Sequence, residues 1–386
     1  MILIDILYVL LAVLLFGVLI FIHELGHYIA ARLSRVRVLE FAIGMGPKLL
    51  KWRSKKTGIL YSLRAFPLGG FCSMDGEGKN SNPTENPNAE ENREPFEKQK
   101  NCSSYADKKA YTRLGILLAG PAMNIILGFL LTFVMVIAYR QNGEIMLGST
   151  VVAEFDAYAV SQNSGLMLED KIIKVGNVRV HTAQELSYEI MIQGKKAELY
   201  DHNIGFESVQ RQGVSLDLTV IRNGEKKVLN DVKFLSDVTS GTRIGLTDFR
   251  IYRENASFGN IMKQSFFRAL SSVKMVWDSL VGIITGRFAL SSVSGPVGTT
   301  QVIVEAAQTG WYTLLNLFIV ISMNLGVFNL LPFLPLDGGH ILFCLYEIVF
   351  RKPVPQKFEE YCQIIGVLLM FGLMIVVLVK DVINLF

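Results

Sequence analysis

Hydrophobic and polar positions fall into blocks along the chain. Ile6 to Ile22 carries no charged residue and continues without a helix breaker into His23 to Leu33. At about 1.5 Å per residue, a helix over 6–33 exceeds the roughly 30 Å hydrocarbon core of a bilayer. No Lys or Arg precedes this run and no small-residue cleavage site follows it, so it reads as a span rather than a signal peptide. Further apolar runs, Leu114 to Tyr139, about Tyr312 to Leu331, and Ile364 to Val379, are each long enough, or nearly so, to cross as well. The third of the four runs leads into PFLPLDGGH (332–340) and then more apolar sequence to Phe350. Two prolines and two glycines predict a broken helix there, tolerated at membrane depth only where protein or a water-filled cavity satisfies the freed backbone.

Elsewhere the pattern shortens. Val151 to Phe155 predicts a strand and residues 164–180 (SGLMLEDKIIKVGNVRV) a turn followed by strands. Ala183 to Gln193 predicts a helix, and Ser215 to Arg222 with Lys227 to Phe234 a hairpin across Asn223 and Gly224. Residues 265–286 are amphipathic, with Lys274 and Asp278 among large apolar residues, and predict a helix in the outer interface. After the first span, residues 59–74 (ILYSLRAFPLGGFCSM) place β-favouring residues on both sides of a Pro and Gly turn, which predicts a hairpin. Gly76 to Asp107 reads as a solvated, mobile linker with no site.

The expected organisation is therefore a polytopic α-helical membrane protein of about four transmembrane helices, with a membrane-associated β-hairpin and an inserted α+β domain. Its segments are 1–34 (first span), 35–110 (loop with hairpin and linker), 111–140 (second span), 141–257 (inserted domain), 258–310 (interfacial segment), 311–350 (broken third span) and 360–386 (fourth span).

Composition agrees. A 51% hydrophobic and 19% charged chain of 386 residues is neither disordered nor fibrous, and its 38 basic and 34 acidic residues are too many for a protein wholly in lipid. A net charge of +4 argues against a nucleic-acid partner. Arg32, Arg35, Arg37, Lys48, Lys51, Arg53, Lys55 and Lys56 face only Glu40 in opposition, which predicts that the loop after the first span is cytoplasmic. Arg351, Lys352 and Lys357 agree, so both termini and residues 143–258 are expected outside the cytoplasm. The four cysteines, Cys72, Cys102, Cys344 and Cys362, imply neither a disulfide framework nor a thiolate zinc site.

The first span ends in HELGH, residues 23–27. His23 and His27, four apart on a helix, project from one face and can share a metal, while Glu24 can reach a water bound to it. Three ionisable groups contiguous with an apolar span are costly unless functional. A catalytic zinc typically takes three protein ligands and leaves a fourth position for water. The best candidate for the third is Asp337, the only acid between Tyr312 and Tyr346, with His340 as runner-up. Asp337 also suits the N-cap of a helix starting at Gly338, and capping does not exclude ligation. His23 lies about 17 residues, or roughly 26 Å, below Ile6, which puts the metal inside the hydrocarbon slab nearer its cytoplasmic face. His181 and His202 read as structural histidines.

HELGH, AGPAMN (119–124) and NLLPFLPLDGG (329–339) together resemble the site-2 protease family of intramembrane zinc metalloproteases, and most closely the bacterial regulator-of-sigma-E-protease (RseP) type. The resemblance implies one Zn2+ per chain bound by His23, His27 and Asp337, Glu24 as general base, and peptide-bond cleavage within the transmembrane segment of another membrane protein. It also implies that Asn329 helps to hold the substrate, and that PLGGF (67–71) belongs to a membrane-associated β element where Gly69, Gly70 and Phe71 keep a substrate extended. Residues 164–180 resemble a bacterial circularly permuted PDZ domain, with Glu169 where a glycine is usual. The implied partners are lipid and transmembrane substrates, pre-trimmed anti-sigma factors or signal-peptide remnants, with the external domain limiting access. The implied location is the cell (inner) membrane. SGPVG (294–298) matches a segment common in the family. Competing readings are a membrane-tethered zinc peptidase for soluble peptides and a non-catalytic PDZ scaffold.

Overall fold

The computed structural model describes residues 2–77, 93–157, 159–194, 198–204, 207–239, 242–286 and 295–383. Its helices are α1 (Ile2–Leu33), α2 (Arg93–Lys98), α3 (Ala110–Ala138), α4 (Ala183–Gln193), α5 (Phe258–Ile284), α6 (Pro296–Thr309), α7 (Trp311–Asn329), α8 (Asp337–Phe350) and α9 (Gln356–Ile383). Its strands are β1 (Val38–Arg53), β2 (Leu60–Met74), β3 (Arg140–Gln141), β4 (Glu144–Ile145), β5 (Val152–Phe155), β6 (Lys171–Val175), β7 (Val178–Arg179), β8 (Glu198–Ile204), β9 (Glu207–Arg222), β10 (Glu225–Thr239), β11 (Thr242–Gly245), β12 (Phe249–Ile251) and β13 (Glu254–Asn255). The chain forms two compact units, Met1–Gly128 with Ser294–Phe386, and Phe129–Val293. Val9–Leu33, Ala110–Ala138, Trp311–Asn329 and Lys357–Asp381 are helices long and apolar enough to cross a membrane. The protein is a multi-pass membrane protein with β sheets.

In the first unit the helices meet where glycines remove side chains, as membrane helices do to gain close packing. A Cβ on Gly26 of α1 would come within 2.3 Å of the Ala119 carbonyl oxygen of α3. One on Gly326 of α7 would come within 3.0 Å of the Pro121 carbonyl oxygen. The predicted break after α7 is present: residues 330–336 separate α7 from α8. There Gly338 packs its backbone on Leu331, and Gly366 of α9 packs on the Leu334 carbonyl.

The hairpin expected within 59–74 does not form, because the two arms of β2 do not pair with each other. Residues 40–43 of β1 lie between them, facing Leu60 to Leu63 on one side and Ser73 to Gly70 on the other. The far half of β1 (48–53) pairs with 60–64, so the order across the sheet is 48–53, 60–64, 38–43, 70–74. Both long strands fold back on themselves where glycines take positive φ, at Gly44 and Gly46 in β1 and Gly69 in β2. The end of the expected linker is also ordered. Gln99 is buried, donates to the Val38 and Thr57 carbonyls and accepts from Arg32 and the Val38 N–H.

Residues 258–310 contain two separate helices rather than one interfacial segment. α6 belongs to the first unit, where Asp381 of α9 accepts a hydrogen bond from the Gly298 N–H at 2.9 Å. This gives the glycines around Pro296 a packing role, since a Cβ on Gly295 would stand 2.8 Å from that carboxylate.

The second unit centres on a six-stranded sheet, β11-β10-β9-β6-β7 with β8 on β9. Leu166, Ile172, Ile190, Leu218 and Phe234 fill its core. The β9–β10 turn has positive φ at Asn223 and Gly224, as an Asn-Gly hairpin requires. Thr182 caps α4 by accepting from the Glu185 N–H.

Candidate active site

Three elements of the first unit converge: the last third of α1, the first half of α3 and the first turn of α8. α1 continues as helix through HELGH, so His23 and His27 share a face. The broken stretch after α7 lets the chain turn back and start α8 at Asp337. His23 Nε2 lies 3.1 Å and His27 Nε2 3.3 Å from Asp337 Oδ2, and the two imidazole nitrogens are 3.3 Å apart. Both histidines are buried.

α3 supplies the supporting contacts. His27 Nδ1 lies 2.9 Å from the Ile116 carbonyl oxygen. A carbonyl only accepts, so Nδ1 carries the proton and Nε2 presents its lone pair to Asp337. The Asn124 side-chain amide is fully buried, 3.3 Å from His23 Nδ1. Nδ2 faces Nδ1 and Oδ1 has no partner, so exchanging the two amide atoms lets Oδ1 accept from Nδ1–H and leaves Nε2 of His23 free in the same way. Ser322 of α7 donates to the Asn124 backbone carbonyl at 2.8 Å. Gly120 lies under the His27 ring, where a Cβ would stand 2.2 Å from Nε2. Ile116, Gly120 and Asn124 recur at intervals of four, so one stripe of α3 backs both imidazoles. Asn124 and Gly120 stand in AGPAMN, but sequence reading gave them no role. The available signal was a fully polar amide inside an apolar run.

The cluster fits a tetrahedral cation. Its three ligand atoms, from His23, His27 and Asp337, all lie within 4.8 Å of one another. Bonds of about 2.0–2.1 Å to a tetrahedral metal separate ligand atoms by about 3.3 Å, close to the distances present. Asp337 Oδ2 is buried and receives no hydrogen bond. Lone pairs meeting at such distances in an apolar setting repel unless a cation joins them.

Glu24, one residue on from His23, lies against the edge arm of β2, residues 70–74. The Cys72 backbone N–H hydrogen-bonds its carboxylate. A Cβ on Gly70 would come within 3.0 Å of Glu24 Cγ and 2.9 Å of the Ala42 carbonyl. Gly69 has φ +84 and packs on Met45, and Phe71 lies under the Arg64 guanidinium at 4.7 Å. Asn329 is the last residue of α7. His340 lies outside the three-residue cluster, with Nδ1 3.3 Å from Glu359 of α9. His181 stacks on Phe267 and approaches Glu185, while the side chain of His202 lies outside the described residues.

Comparison with known proteins agrees with this arrangement. The profile of peptidase family M50 matches residues 11–373. A Clostridium acetobutylicum protein provisionally named a zinc metalloprotease is 33% identical over 376 residues, 97% of each chain. A Fusobacterium nucleatum protein with the same provisional name is 30% identical, over 98% of this chain and 99% of its own. A third, from Campylobacter jejuni, is 28% identical, over 96% of this chain and 92% of its own. A helical membrane protein in which two buried histidines meet an aspartate can hold a metal ion at that point. The chain belongs to peptidase family M50, the site-2 protease family.

Proposed function

We propose that the protein is an intramembrane zinc metalloendopeptidase that cleaves the transmembrane segments of other membrane proteins. The observation that carries this reading is the convergence of His23, His27 and Asp337 from two apolar helical regions into one cluster. These three residues hold a single Zn2+. Bound there, the ion polarises an amide carbonyl and acidifies a water.

The chain's own residues do the rest. Glu24 takes the proton of the attacking water and delivers it to the leaving nitrogen as the peptide bond breaks. Ile116 and Asn124 fix the two imidazoles in the tautomer that presents Nε2. A transmembrane helix hides its peptide bonds in its own hydrogen bonds, so a substrate must become extended near the site. The 70–74 arm is suited to hold it, since among the described residues it pairs only with 38–43. Gly69, Gly70 and Phe71 line that arm beside Glu24, and Asn329 contributes from the end of α7.

The basic loop after α1 is cytoplasmic and the PDZ-like domain within 141–257 lies outside the cytoplasm, in the cell (inner) membrane. The domain limits access, so substrates are already trimmed outside, as anti-sigma factors or signal-peptide remnants would be. The test is purified protein with a transmembrane substrate. Glu24→Gln is expected to keep near-stoichiometric zinc and to lose cleavage. Retained cleavage, or cleavage of the same sequence as a free soluble peptide in preference to the anchored one, overturns the proposal.

A further inference from the structure

The edge arm of β2 runs in the same direction as α1. Its start lies beside the span, since a Cβ on Gly70 would stand 3.0 Å from Glu24 Cγ and 3.0 Å from Ile20 Cγ2. Its end lies past the helix, where the Asp75 N–H donates to the Arg37 carbonyl at 2.9 Å, beyond the last residue of α1, Leu33. A chain held along this arm therefore passes Glu24 and leaves the span at the Asp75 end.

Two acids stand there, in a stretch whose sequence reads as the start of a linker. The carboxylate of Asp75 is taken by Arg37, with Nη1 2.6 Å from Oδ2. Glu77 differs. A turn with Gly76 at φ +82 brings its N–H to the Met74 carbonyl at 3.3 Å. Its Oε2 accepts from the Met74 N–H at 3.2 Å, which fixes the carboxylate over the end of the arm. The residue is exposed, and among the described residues no Lys, Arg or His pairs with it. Protein crowds its inner side: desolvation pushes the carboxyl up to about 7, against the pull of the Met74 N–H and of the His27 and His340 imidazoles. A carboxylate so placed is costly alone and is relieved by a cation brought beside it.

Membrane spans supply such a cation. Their cytoplasmic ends carry an excess of Lys and Arg. Cys72 adjoins Glu24, and Glu77 follows five residues later across a turn. At about 3.3 Å per residue, an extended chain beside the arm brings to Glu77 a residue about three to five positions from the bond facing Glu24.

We propose that Glu77 is a specificity-determining residue: its carboxylate pairs with a Lys or Arg of the substrate about three to five residues from the scissile bond, on the side where the chain leaves the membrane. The pairing selects which segments are cut and sets the register in which they lie. This inference rests on the reading of residues 70–74 as the edge that holds an extended substrate.

The test uses purified, zinc-loaded full-length protein and one membrane-anchored substrate in three forms, with Lys, Gln or Glu about four residues from the scissile bond on that side. The unsubstituted protein is expected to favour Lys over Gln about fivefold in kcat/KM, through KM, with Glu cut least. Glu77→Gln keeps an acceptor for the Met74 N–H and is expected to bring the Lys to Gln ratio near one. Glu77→Lys is expected to invert the order, so that the Glu form is cut best. Each protein is compared with itself across substrates, so a loss of active fraction cancels from the ratio.

A ratio near one in the unsubstituted protein, or a preference for Lys that survives in both variants, overturns the inference while leaving the proposed activity standing. Loss of all cleavage in Glu77→Gln with zinc retained also overturns it, since Glu77 would then act in the reaction rather than in the choice of substrate. No cleavage of any anchored form by the unsubstituted protein overturns the proposed activity itself, and the inference with it.

Discussion

His27 Nδ1 lies 2.9 Å from the Ile116 carbonyl oxygen, and one turn further along the same helix Gly120 leaves the ring its space. Orientation and clearance of one imidazole are thus set by residues four apart on α3. Glycine in a helix ordinarily costs about 0.5–1 kcal/mol relative to alanine. Gly120→Ala should nevertheless abolish zinc retention and lower cleavage by on the order of 100-fold or more, because the new Cβ would stand 2.2 Å from Nε2. Gly115→Ala, on the same helix with nothing within 4 Å, should leave both unchanged. Zinc content and cleavage rate of the pair separate ring displacement from a general effect on α3.

The amide of Asn124 acts on the metal site only through His23. Asn124→Leu keeps the volume and removes the acceptor, so zinc affinity should fall roughly 10- to 100-fold. Asn124→Asp restores an acceptor and should bind closer to the unsubstituted protein. Competition with a graded chelator reads this directly. Equal affinity in all three proteins would leave the amide with a packing role alone.

In the second unit Asp170 is fully buried and receives Arg222 through two bonds of 2.7 Å, while Arg222 also donates to the Gly165 carbonyl. Removing only the arginine strands a buried carboxylate. Arg222→Met should therefore cost about 3–5 kcal/mol of unfolding free energy. Replacing both, Arg222→Met with Asp170→Leu, should recover a large part of that loss. Denaturant titration followed by limited proteolysis of the β domain measures the difference.

Much of this organisation is legible in the sequence, and the exceptions share one cause. The spans follow from uninterrupted apolar runs, and His23, Glu24, His27 and Asp337 stand out as ionisable groups in apolar surroundings, where lipid makes each one costly. The Asn223–Gly224 turn is legible because it is local. The pairing of 70–74 is not: PLGG signals a turn, but the strand that enters between the arms comes from 40–43, upstream of the turn, and no local pattern announces it. The same holds for Asn124, whose role depends on α1 passing beside it, and for α6, whose short apolar pattern does not reveal that Asp381 of α9 secures its first turn.

Glu169 holds a backbone conformation whose cost is measurable. Its backbone has φ +66, in the left-handed region that costs an L-residue about 1–2 kcal/mol. Its N–H donates to the Val152 carbonyl at 2.9 Å, so the conformation is held by the sheet. The side chain is exposed and adjoins the buried Asp170. Glu169→Gly should raise the unfolding free energy by up to about 1 kcal/mol, with relief of strain partly offset by the freer unfolded chain. Glu169→Ala should be close to neutral, since alanine carries the same Cβ. Glu169→Val should destabilise by about 1–2 kcal/mol, because a β-branched side chain suits this region least. The order Gly above Glu and Ala, with Val lowest, in denaturant midpoints of the β domain is the expected outcome. A Val variant as stable as the Gly variant would show that the position is not held in this conformation.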